Sequence, residues 1–289
     1  MASGILIVDK PEGWTSMDVC AKLRGVFHER RIGHGGTLDP MATGVLPVFV
    51  GRATRAVEFA EKSDKEYIAG LKLGVITNTQ DSSGEVLEER PVHVTREALE
   101  STLEQFRGDI LQIPPMYSAI KINGKKLYEL ARKGREVERP ARPVTIKALE
   151  LLEQQGEDLY TIKVRCTKGT YIRTLCHDVG QALGCGGCMA SLRRTMAAGF
   201  TFKDARTLEE LQSAPDPAAL LMPVEELFAD RERLVLSPTS EKRVRNGMTA
   251  VLPNVNPGEY RVYAQSGEFL ALCQAKGGKL TTIKSFFEV

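Results

Sequence analysis

The sequence predicts an α+β protein that ends in a small β-rich domain, and three observations support this prediction. Alternating apolar residues indicate strands at residues 67–73 and 160–166. Apolar residues at helical spacing indicate helices that begin after residues 95 and 170. Beyond a proline-interrupted stretch at residues 214–231, short apolar runs are separated by glycine, asparagine and proline turns, which is typical of a small β domain.

The first elements along the chain are a strand and a helix. Residues Gly4–Asp9 form an apolar run that reads as a buried strand, and a turn follows it. We expect Ser16 to cap the next helix, because its hydroxyl can accept a hydrogen bond from a free backbone N–H of the first turn. Val19, Leu23 and Phe27 recur at helical spacing and define the buried face of this helix.

The middle of the chain follows the same two periodicities. Tyr67 lies near the start of a strand with alternating apolar residues, and Thr95 is expected to cap a helix. The strand at 160–166 leads through the turn 168–170 into a second helix. Arg173 falls in the first turn of that helix, off its apolar face.

Charge is distributed unevenly along the chain. Residues 121–147 hold nine Lys or Arg residues against three Glu residues, and we call them the basic segment. Residues 231–289 hold nine basic and five acidic residues, yet the whole chain has a net charge of only +2, so the remainder is acidic. Two basic regions on an otherwise acidic protein favour a polyanionic partner, nucleic acid, over a merely solvated charged surface.

Composition excludes several classes of protein. The chain has 42% hydrophobic and 26% charged residues, as is usual for a globular protein. Apolar runs such as residues 45–50 are too short to span a bilayer, and the N-terminus lacks a secretory pattern, so we expect a cytoplasmic protein without membrane contact. Cys185 and Cys188 have the spacing of half a zinc site, but the second half is missing, so we expect reduced thiols and no metal.

One carboxylate, Asp39, stands in the glycine-rich segment 33–46. Glycines let a backbone approach a ligand closely, and Pro40 disfavours helical geometry at Asp39. The segment has neither a Walker lysine pattern nor a dinucleotide fingerprint, and the chain has no G-x-S-x-G elbow and no H-E-x-x-H motif. On pattern alone, the segment is either a structural turn capped by the aspartate or an active-site loop.

The residues that remain for chemistry are an aspartate, an arginine and a tyrosine. An aspartate paired with an arginine stays ionised and can act as a nucleophile or a base. The flat face of a tyrosine can stack a nucleobase. Together with the basic surfaces, these residue types indicate a site that works on nucleic acid without a cofactor.

Six short motifs follow one another along the chain. They are Lys10-Pro-x-Gly-x-Thr-Ser16, Gly33-His-x-Gly-x-Leu-Asp-Pro-x-Ala-Thr-Gly44, Lys65-x-Tyr67, Pro115-Met-Tyr-Ser-Ala119, Lys168-Gly-Thr-Tyr-Ile-Arg173 and Leu192-Arg-Arg194. Together they resemble the TruB family of bacterial tRNA pseudouridine-55 synthases over residues 4–200. Residues 231–289 are similar in length and character to the PUA RNA-binding domain of that family.

The resemblance implies the pseudouridine synthase fold, with a mixed, largely antiparallel sheet flanked by helices. It places a catalytic domain at residues 1–230, which includes the basic segment, and a PUA-like domain at residues 231–289. The basic segment resembles the family's loop that closes over the T-arm of tRNA. We expect this segment to be mobile without RNA and to become ordered on binding, with cationic contacts to phosphates.

The resemblance also implies the reaction. Uridine 55 in the T-loop of tRNA is isomerised to pseudouridine without a cofactor, after the base is flipped out of the RNA stack. Three routes stay open for the aspartate: attack at C6, attack at C1′ and removal of a ribose proton. The implied partner is the T-arm of tRNA, with no obligate protein partner, and the expected state is a monomer.

By motif matching, Asp39 is the catalytic aspartate of the family. Arg173 matches the arginine that pairs with this aspartate and keeps it ionised. Tyr67 matches the residue that stacks on the flipped base and assists proton removal at C5. These three residues form the catalytic set that the resemblance implies.

The remaining matched residues correspond to residues that bind the substrate or support the site. Tyr171 and Leu192 match residues that line the uracil pocket. His34 matches the side chain that enters the space vacated by the flipped base. Lys10 and Pro11 match a supporting motif.

Two other functions remain open at this point. A non-catalytic tRNA-binding or chaperone protein would bind tRNA but would not modify any base. A hydrolase of glycosidic bonds would use Asp39 as nucleophile and release free uracil. Such enzymes use a second carboxylate as acid, and none is evident near these motifs.

Overall fold

The structure is a computed structural model that describes residues 2–122 and 124–287. Met1, Asn123, Glu288 and Val289, which belong to the predicted domains and the basic segment, lie outside the described residues. The strands are β1 (Gly4–Lys10), β2 (Ile32–His34), β3 (Thr43–Val50), β4 (Lys65–Leu73), β5 (Val75–Thr77), β6 (Val86–Glu89), β7 (Gly108–Gln112), β8 (Lys121–Ile122), β9 (Lys125–Lys126), β10 (Arg142–Gln155), β11 (Leu159–Cys166), β12 (Gly187–Ala197), β13 (Phe200–Thr201), β14 (Ala205–Arg206), β15 (Glu232–Val235), β16 (Ala250–Val251), β17 (Gly258–Tyr263), β18 (Phe269–Lys276) and β19 (Lys279–Ser285). The α-helices are α1 (Ser16–Phe27), α2 (Val57–Lys62), α3 (Arg96–Gln105), α4 (Leu127–Ala131), α5 (Ile172–Ala182), α6 (Leu208–Ser213) and α7 (Pro238–Arg245). Short 3-10 helices lie at Gly51–Ala56, Phe202–Asp204, Pro217–Leu220 and Val224–Phe228.

A large mixed sheet runs through the first two thirds of the chain. Its strand order is β14-β1-β3-β12-β4-β11-β10-β7, with β2 paired to β3 and β13 paired to β12. Strands β1 and β14 are parallel, as are β3 and β12, while the other pairs that the described residues form in this sheet are antiparallel. This confirms the predicted mixed, largely antiparallel sheet. The parallel pair β3 and β12 helps to form the candidate active site.

The central strands follow the predicted alternation. In β4 the side chains of Tyr67, Ala69, Leu71 and Leu73 are buried on one face. They pack in one apolar cluster with α3, α5 and alternate residues of β11. Because successive side chains of a strand point to opposite faces, the period-2 pattern was sufficient to place this core.

The start of α1 differs from the expectation in one residue. Thr15, not Ser16, is the N-cap: its Oγ1 accepts a hydrogen bond from the backbone N–H of Asp18 at 3.0 Å, and the Asp18 carboxylate accepts one from the Thr15 backbone at 2.9 Å. This reciprocal arrangement is a capping box. Ser16 is the first helical residue, and its buried hydroxyl accepts a hydrogen bond from the Leu38 backbone N–H at 2.9 Å.

A second sheet occupies the last part of the chain. Its strand order is β15-β17-β18-β19-β16, and α7 packs beside it. This confirms the predicted β-rich C-terminal fold. The sheet joins the first part through an aromatic cluster, in which Phe59 meets Phe228 edge-to-face at 5.1 Å and Phe228 meets Phe286 at 5.8 Å. An ion pair between Lys284 and Glu58 at 2.8 Å crosses the same boundary.

Only part of the basic segment lies outside the large sheet. Residues 121–126 form the small hairpin β8–β9 in the described positions, and α4 follows directly. Residues 142–147, however, already belong to strand β10, because Arg142 to Ile146 pair with β7. The part that lies off the sheet therefore ends at residue 141.

All six cysteines lie in the described residues, where they are buried and free of disulfide bonds. Burial raises the pKa of the Cys176 thiol above its ordinary value. In the ranges 2–122 and 124–287, no helix combines the length and apolarity needed to cross a membrane.

Candidate active site

A cavity of about 980 Å³ opens over the middle of the large sheet. Its wall comes mainly from six places in the chain: the turn at Glu12 and Gly13, the loop 36–41 between β2 and β3, the start of β4, the turn around Asp81, residues 117–119 with α4, and the start of α5. Strand β12 contributes the floor through Leu192 and Arg194. The cavity thus collects residues from all six sequence motifs, together with a turn that no motif contains.

The loop of residues 35–42, which we call the Asp39 loop, is held by bonds to its backbone. The Lys10 ammonium donates to the carbonyl oxygens of Pro40 at 3.2 Å, Trp14 at 2.6 Å and Pro11 at 2.9 Å. Burial lowers the pKa of Lys10 to about 8. A bond from the Leu38 backbone to Ser16 fixes the other side of the loop. These contacts position Asp39 without using its carboxylate.

Arg194 holds the same loop from below. This side chain is 1% exposed, and its guanidinium donates to the carbonyl oxygens of Val45 at 2.7 Å and Gly36 at 3.1 Å. Gly44 makes the close approach possible. It has a φ of +104°, and a Cβ at this position would lie 2.3 Å from the Arg194 carbonyl oxygen. Only glycine fits where β3 and β12 meet.

Arg173 joins two carboxylates. Its Nε lies 3.1 Å from Asp39 Oδ2, and its Nη1 lies 3.3 Å from Asp81 Oδ2. Its Nη2 donates to the Tyr117 carbonyl oxygen at 3.0 Å. The Arg173 and Asp81 side chains are 7% and 5% exposed, whereas that of Asp39 is 37% exposed. The aspartate therefore faces the cavity while the ion pair behind it is buried.

The electrostatics of Asp39 reflect opposing effects. Burial raises the pKa of Asp39 above its ordinary value, and the neighbouring Asp81 carboxylate adds to this increase. Arg173 opposes the increase most, and Lys10 opposes it as well. The expectation that the arginine favours the ionised form is correct in sign, although burial is the larger influence on the pKa.

Tyr67, Tyr171 and Leu192 line the same cavity. Burial raises the pKa of Tyr67, and the Arg194 guanidinium opposes this increase, so the ring is a protonated phenol at neutral pH. Tyr171 is held by its backbone: its N–H donates to the Gln112 side chain at 2.8 Å, and the Gln112 amide donates to its carbonyl oxygen at 3.0 Å. Two aromatic side chains and one aliphatic side chain thus line the cavity that Asp39 faces.

Three of the matched residues, His34, Lys10 and Pro11, do not line the cavity. His34 ends strand β2 opposite Val48, and burial lowers its pKa. Pro11 lies at the turn after β1 and contributes only a carbonyl oxygen, which accepts a hydrogen bond from Lys10. Of the residues matched to the family, Asp39, Tyr67, Arg173, Tyr171 and Leu192 come together.

Sequence reasoning missed Asp81, Gln112 and Arg194. The argument against a hydrolase rested on the absence of a second carboxylate near the motifs, and that expectation is wrong, because Asp81 shares Arg173 with Asp39. Both oxygens of the Asp81 carboxylate are nevertheless engaged as acceptors: its Oδ1 accepts hydrogen bonds from Thr79 at 2.8 Å and from the Ser83 backbone at 3.0 Å, while its Oδ2 faces Arg173.

A local signal existed for Arg194 alone. It lies two residues from Leu192 and so shares the buried face of β12, where a charged residue calls for a partner or a role. Across the described residues, no group of three or more His, Cys, Asp or Glu side chains is arranged to hold a metal ion.

Comparison with known proteins places this site in a family. The model described as "TruB family pseudouridylate synthase (N terminal domain)" matches residues 24–172, and the model described as "tRNA pseudouridylate synthase B C-terminal domain" matches residues 173–229. The chain is 45% identical to tRNA pseudouridine synthase B of Azoarcus sp. (strain BH72), over 97% of this chain and 93% of the relative. It is 38% identical to the protein of the same name from Clostridium kluyveri, over 98% of this chain and 99% of the relative.

Solved structures agree at the level of the fold. A chain of the crystal structure of a Cbf5-Nop10-Gar1 complex matches with a TM-score of 0.76 and 26% identity, over 98% of this chain and 85% of that chain. A chain of the archaeal box H/ACA sRNP Nop10-Cbf5 complex matches with a TM-score of 0.73 and 24% identity, over 99% of this chain and 86% of that chain. By its sequence motifs, its family-model matches and its relatives, the chain belongs to the TruB family of pseudouridylate synthases.

Proposed function

We propose that this chain isomerises uridine 55 in the T-loop of tRNA to pseudouridine. The observation that carries the proposal is the carboxylate of Asp39, which faces a cavity beside Tyr67 while a buried arginine holds it from behind. The names of the relatives support tRNA as the substrate. Membership of a family of synthases favours an enzyme over a tRNA-binding protein without activity.

The reaction balances without a cofactor. The bond from N1 to C1′ breaks, the bond from C5 to C1′ forms, a proton leaves C5, and N1 gains a proton. No atom is added overall, so water is not consumed. The target base must leave the RNA stack, because its reacting atoms are otherwise out of reach of any side chain.

The residues of the cavity suit these steps. Asp39 is the group that meets the target nucleotide, by attack at C6 or C1′ or by removal of a ribose proton. Tyr67 offers its ring as a stacking surface, and its hydroxyl, whose pKa burial raises, would assist removal of the C5 proton. Tyr171 and Leu192 bound the space for the base. Arg173 orients Asp39 and balances its charge.

The basic segment is the part of the chain best suited to hold the T-arm. Tyr128 and Arg132 of this segment line the mouth of the cavity, and the guanidinium of Arg132 lies 5.4 Å from the centre of the Tyr128 ring. Cationic side chains beside the opening would contact the phosphates around a flipped nucleotide. Limited proteolysis should show protection of residues 121–141 by tRNA, and equal cleavage with and without tRNA would argue against this role.

We extend the proposal to the organisation of the chain. Residues 1–230 would carry the catalysis and residues 231–289 would bind RNA as a PUA-like domain. The protein would act in the cytoplasm as a monomer that needs no protein partner. Light scattering would measure the mass of the complex formed with one equivalent of tRNA. A monomeric protein predicts the mass of one protein chain and one tRNA.

A transcript labelled with tritium at C5 of its uridines tests the reaction. The proposal predicts release of one equivalent of tritium per tRNA by the wild-type protein, with no free uracil. A transcript with cytidine at position 55 should release none. Release of free uracil would indicate a glycosidic hydrolase, and tight binding with no release would indicate a binding protein.

A further inference from the structure

The turn at residues 79–81, between β5 and β6, holds Arg173 at two points. The Thr79 carbonyl oxygen accepts a hydrogen bond from Arg173 Nη1 at 3.4 Å, and Asp81 Oδ2 lies 3.3 Å from the same nitrogen. The orientation of the guanidinium that meets Asp39 therefore depends on where this turn lies relative to α5, the helix that carries Arg173.

Gln80 at the centre of this turn has an unusual backbone. Its φ is +64°, in the left-handed region that favours glycine. The backbone is bonded on both sides, because Gln80 N–H donates to the Thr77 carbonyl oxygen at 3.2 Å and its own carbonyl oxygen accepts from the Met189 N–H at 3.0 Å. A glycine would adopt this conformation with less strain, so the presence of a long polar side chain calls for an explanation.

The side chain of Gln80 reaches the catalytic helix. Its Oε1 accepts a hydrogen bond from Thr174 Oγ1 at 2.7 Å, and Thr174 follows Arg173 directly in the first turn of α5. Thr174 is 2% exposed, so the donor end of this bond is buried. The turn thus grips two consecutive residues of the helix, the charged one through Thr79 and Asp81 and the next one through Gln80.

We propose that Gln80 and Thr174 form a positioning pair for the isomerisation, which fixes the turn 79–81 against α5 and so aims Arg173 at Asp39. This inference rests on the proposed function. Neither side chain touches the substrate in this role. Loss of the bond leaves Arg173 itself as the one residue of α5 that is hydrogen-bonded to the turn among the described residues, so the turn and the helix can shift against each other. Small shifts of a group that orients the catalytic residue reduce the rate of the chemical step more than binding.

The test uses a substitution that relieves backbone strain, so that a loss of rate cannot be attributed to a loss of folding stability. Gln80→Gly removes the side chain and suits the left-handed backbone. Ala198→Gly is its matched control, because Ala198 also has a positive φ, of 55°, and lies in the turn between β12 and β13, away from the cavity. Single-turnover tritium release and the Kd for tRNA are measured for wild type and both variants, together with the midpoint of urea unfolding.

We expect Gln80→Gly to release tritium about tenfold more slowly than wild type, with a Kd within about twofold and an unfolding midpoint close to that of Ala198→Gly. Ala198→Gly should keep the wild-type rate. A rate for Gln80→Gly within twofold of wild type would overturn the inference. So would a rate loss matched by an equal loss of tRNA binding.

A second variant shows whether one bond carries the effect. Thr174→Val removes the hydroxyl and keeps the shape, and it should slow release as much as Gln80→Gly. The double variant should be no slower than either single variant, whereas multiplied losses would refute the pair. If the wild-type protein releases no tritium at all, the proposed function fails and this inference fails with it. Normal wild-type release with an unaffected Gln80→Gly variant removes the inference alone.

Discussion

The buried ion pair between Arg173 and Asp81 gives the sharpest test of how the site is organised. Asp81→Asn keeps the size of the side chain and keeps an oxygen for Thr79 and Ser83, but it removes the charge that faces Arg173 Nη1 at 3.3 Å. The guanidinium then has one carboxylate in place of two. Asp39 should then pair with the Arg173 guanidinium without competition from a second carboxylate.

The size of the effect follows from the contact that is lost. A hydrogen bond to a charged group contributes about 1.5–3 kcal/mol, and about 1.4 kcal/mol corresponds to a tenfold change in rate. If Arg173 loses this much of its positioning, single-turnover release should slow by about 10- to 100-fold. The pKa of Asp39 should fall at the same time, because the Asp81 carboxylate raises it in the wild-type protein. The acidic limb of the rate profile should therefore move to lower pH.

The assay is single-turnover tritium release from pH 4.5 to 8, with folding checked by urea unfolding at each end of the range. Asp158→Asn is the control, because this carboxylate also pairs with a cation, Lys72, but is 39% exposed and remote from the cavity. The control should retain the wild-type profile. A plateau rate for Asp81→Asn within twofold of wild type would refute the argument, as would an acidic limb that moves to higher pH.

Two further predictions concern stability. Arg194→Met should lower the free energy of unfolding by about 2–4 kcal/mol, because the carbonyl oxygens of Gly36 and Val45 lose a charged donor. Urea unfolding measures this loss, and an unchanged midpoint would contradict the prediction. Asp178→Asn should stabilise the protein at pH 8, because partial burial raises the pKa of Asp178 to about 6 and so destabilises its ionised form in the folded state. The folded state binds more protons than the unfolded one between about pH 4 and 6, so wild-type stability from this group is lost as pH rises through that window. The gain of about 1 kcal/mol from Asp178→Asn should shrink as the pH falls to 4, and a gain independent of pH would contradict the assignment.

The sequence was sufficient for the elements with strong periodicity. Alternation placed the buried face of β4, and the spacing of apolar residues placed the inner face of α5. The N-cap of α1 was wrong by one residue, because two hydroxyls stand side by side and the choice between them depends on Asp18, which completes a capping box with Thr15. The resemblance to a loop does not hold for residues 142–147 of the basic segment, because charge alone does not reveal that Arg142 already pairs with β7.

The site was predicted as far as motifs and their resemblance reach. Asp39 and Arg173 are 134 residues apart in the chain, and only the resemblance joined them before the structure placed their side chains 3.1 Å apart. Asp81 and Gln112 act through contacts made by the folded chain, and their neighbours in sequence carry no periodic signal for those contacts. The role of His34 stays a prediction, since its place on β2 lies outside the cavity lining.

The most direct test of the central claim is to measure catalysis and binding together for Asp39→Asn. This change keeps the shape of the side chain and removes the charge that faces Arg173. Tritium release from a transcript labelled at C5 should disappear, while the Kd for the same tRNA should stay within a few-fold of wild type. Release at the wild-type rate by Asp39→Asn would contradict the assignment of Asp39 as the residue that carries the isomerisation.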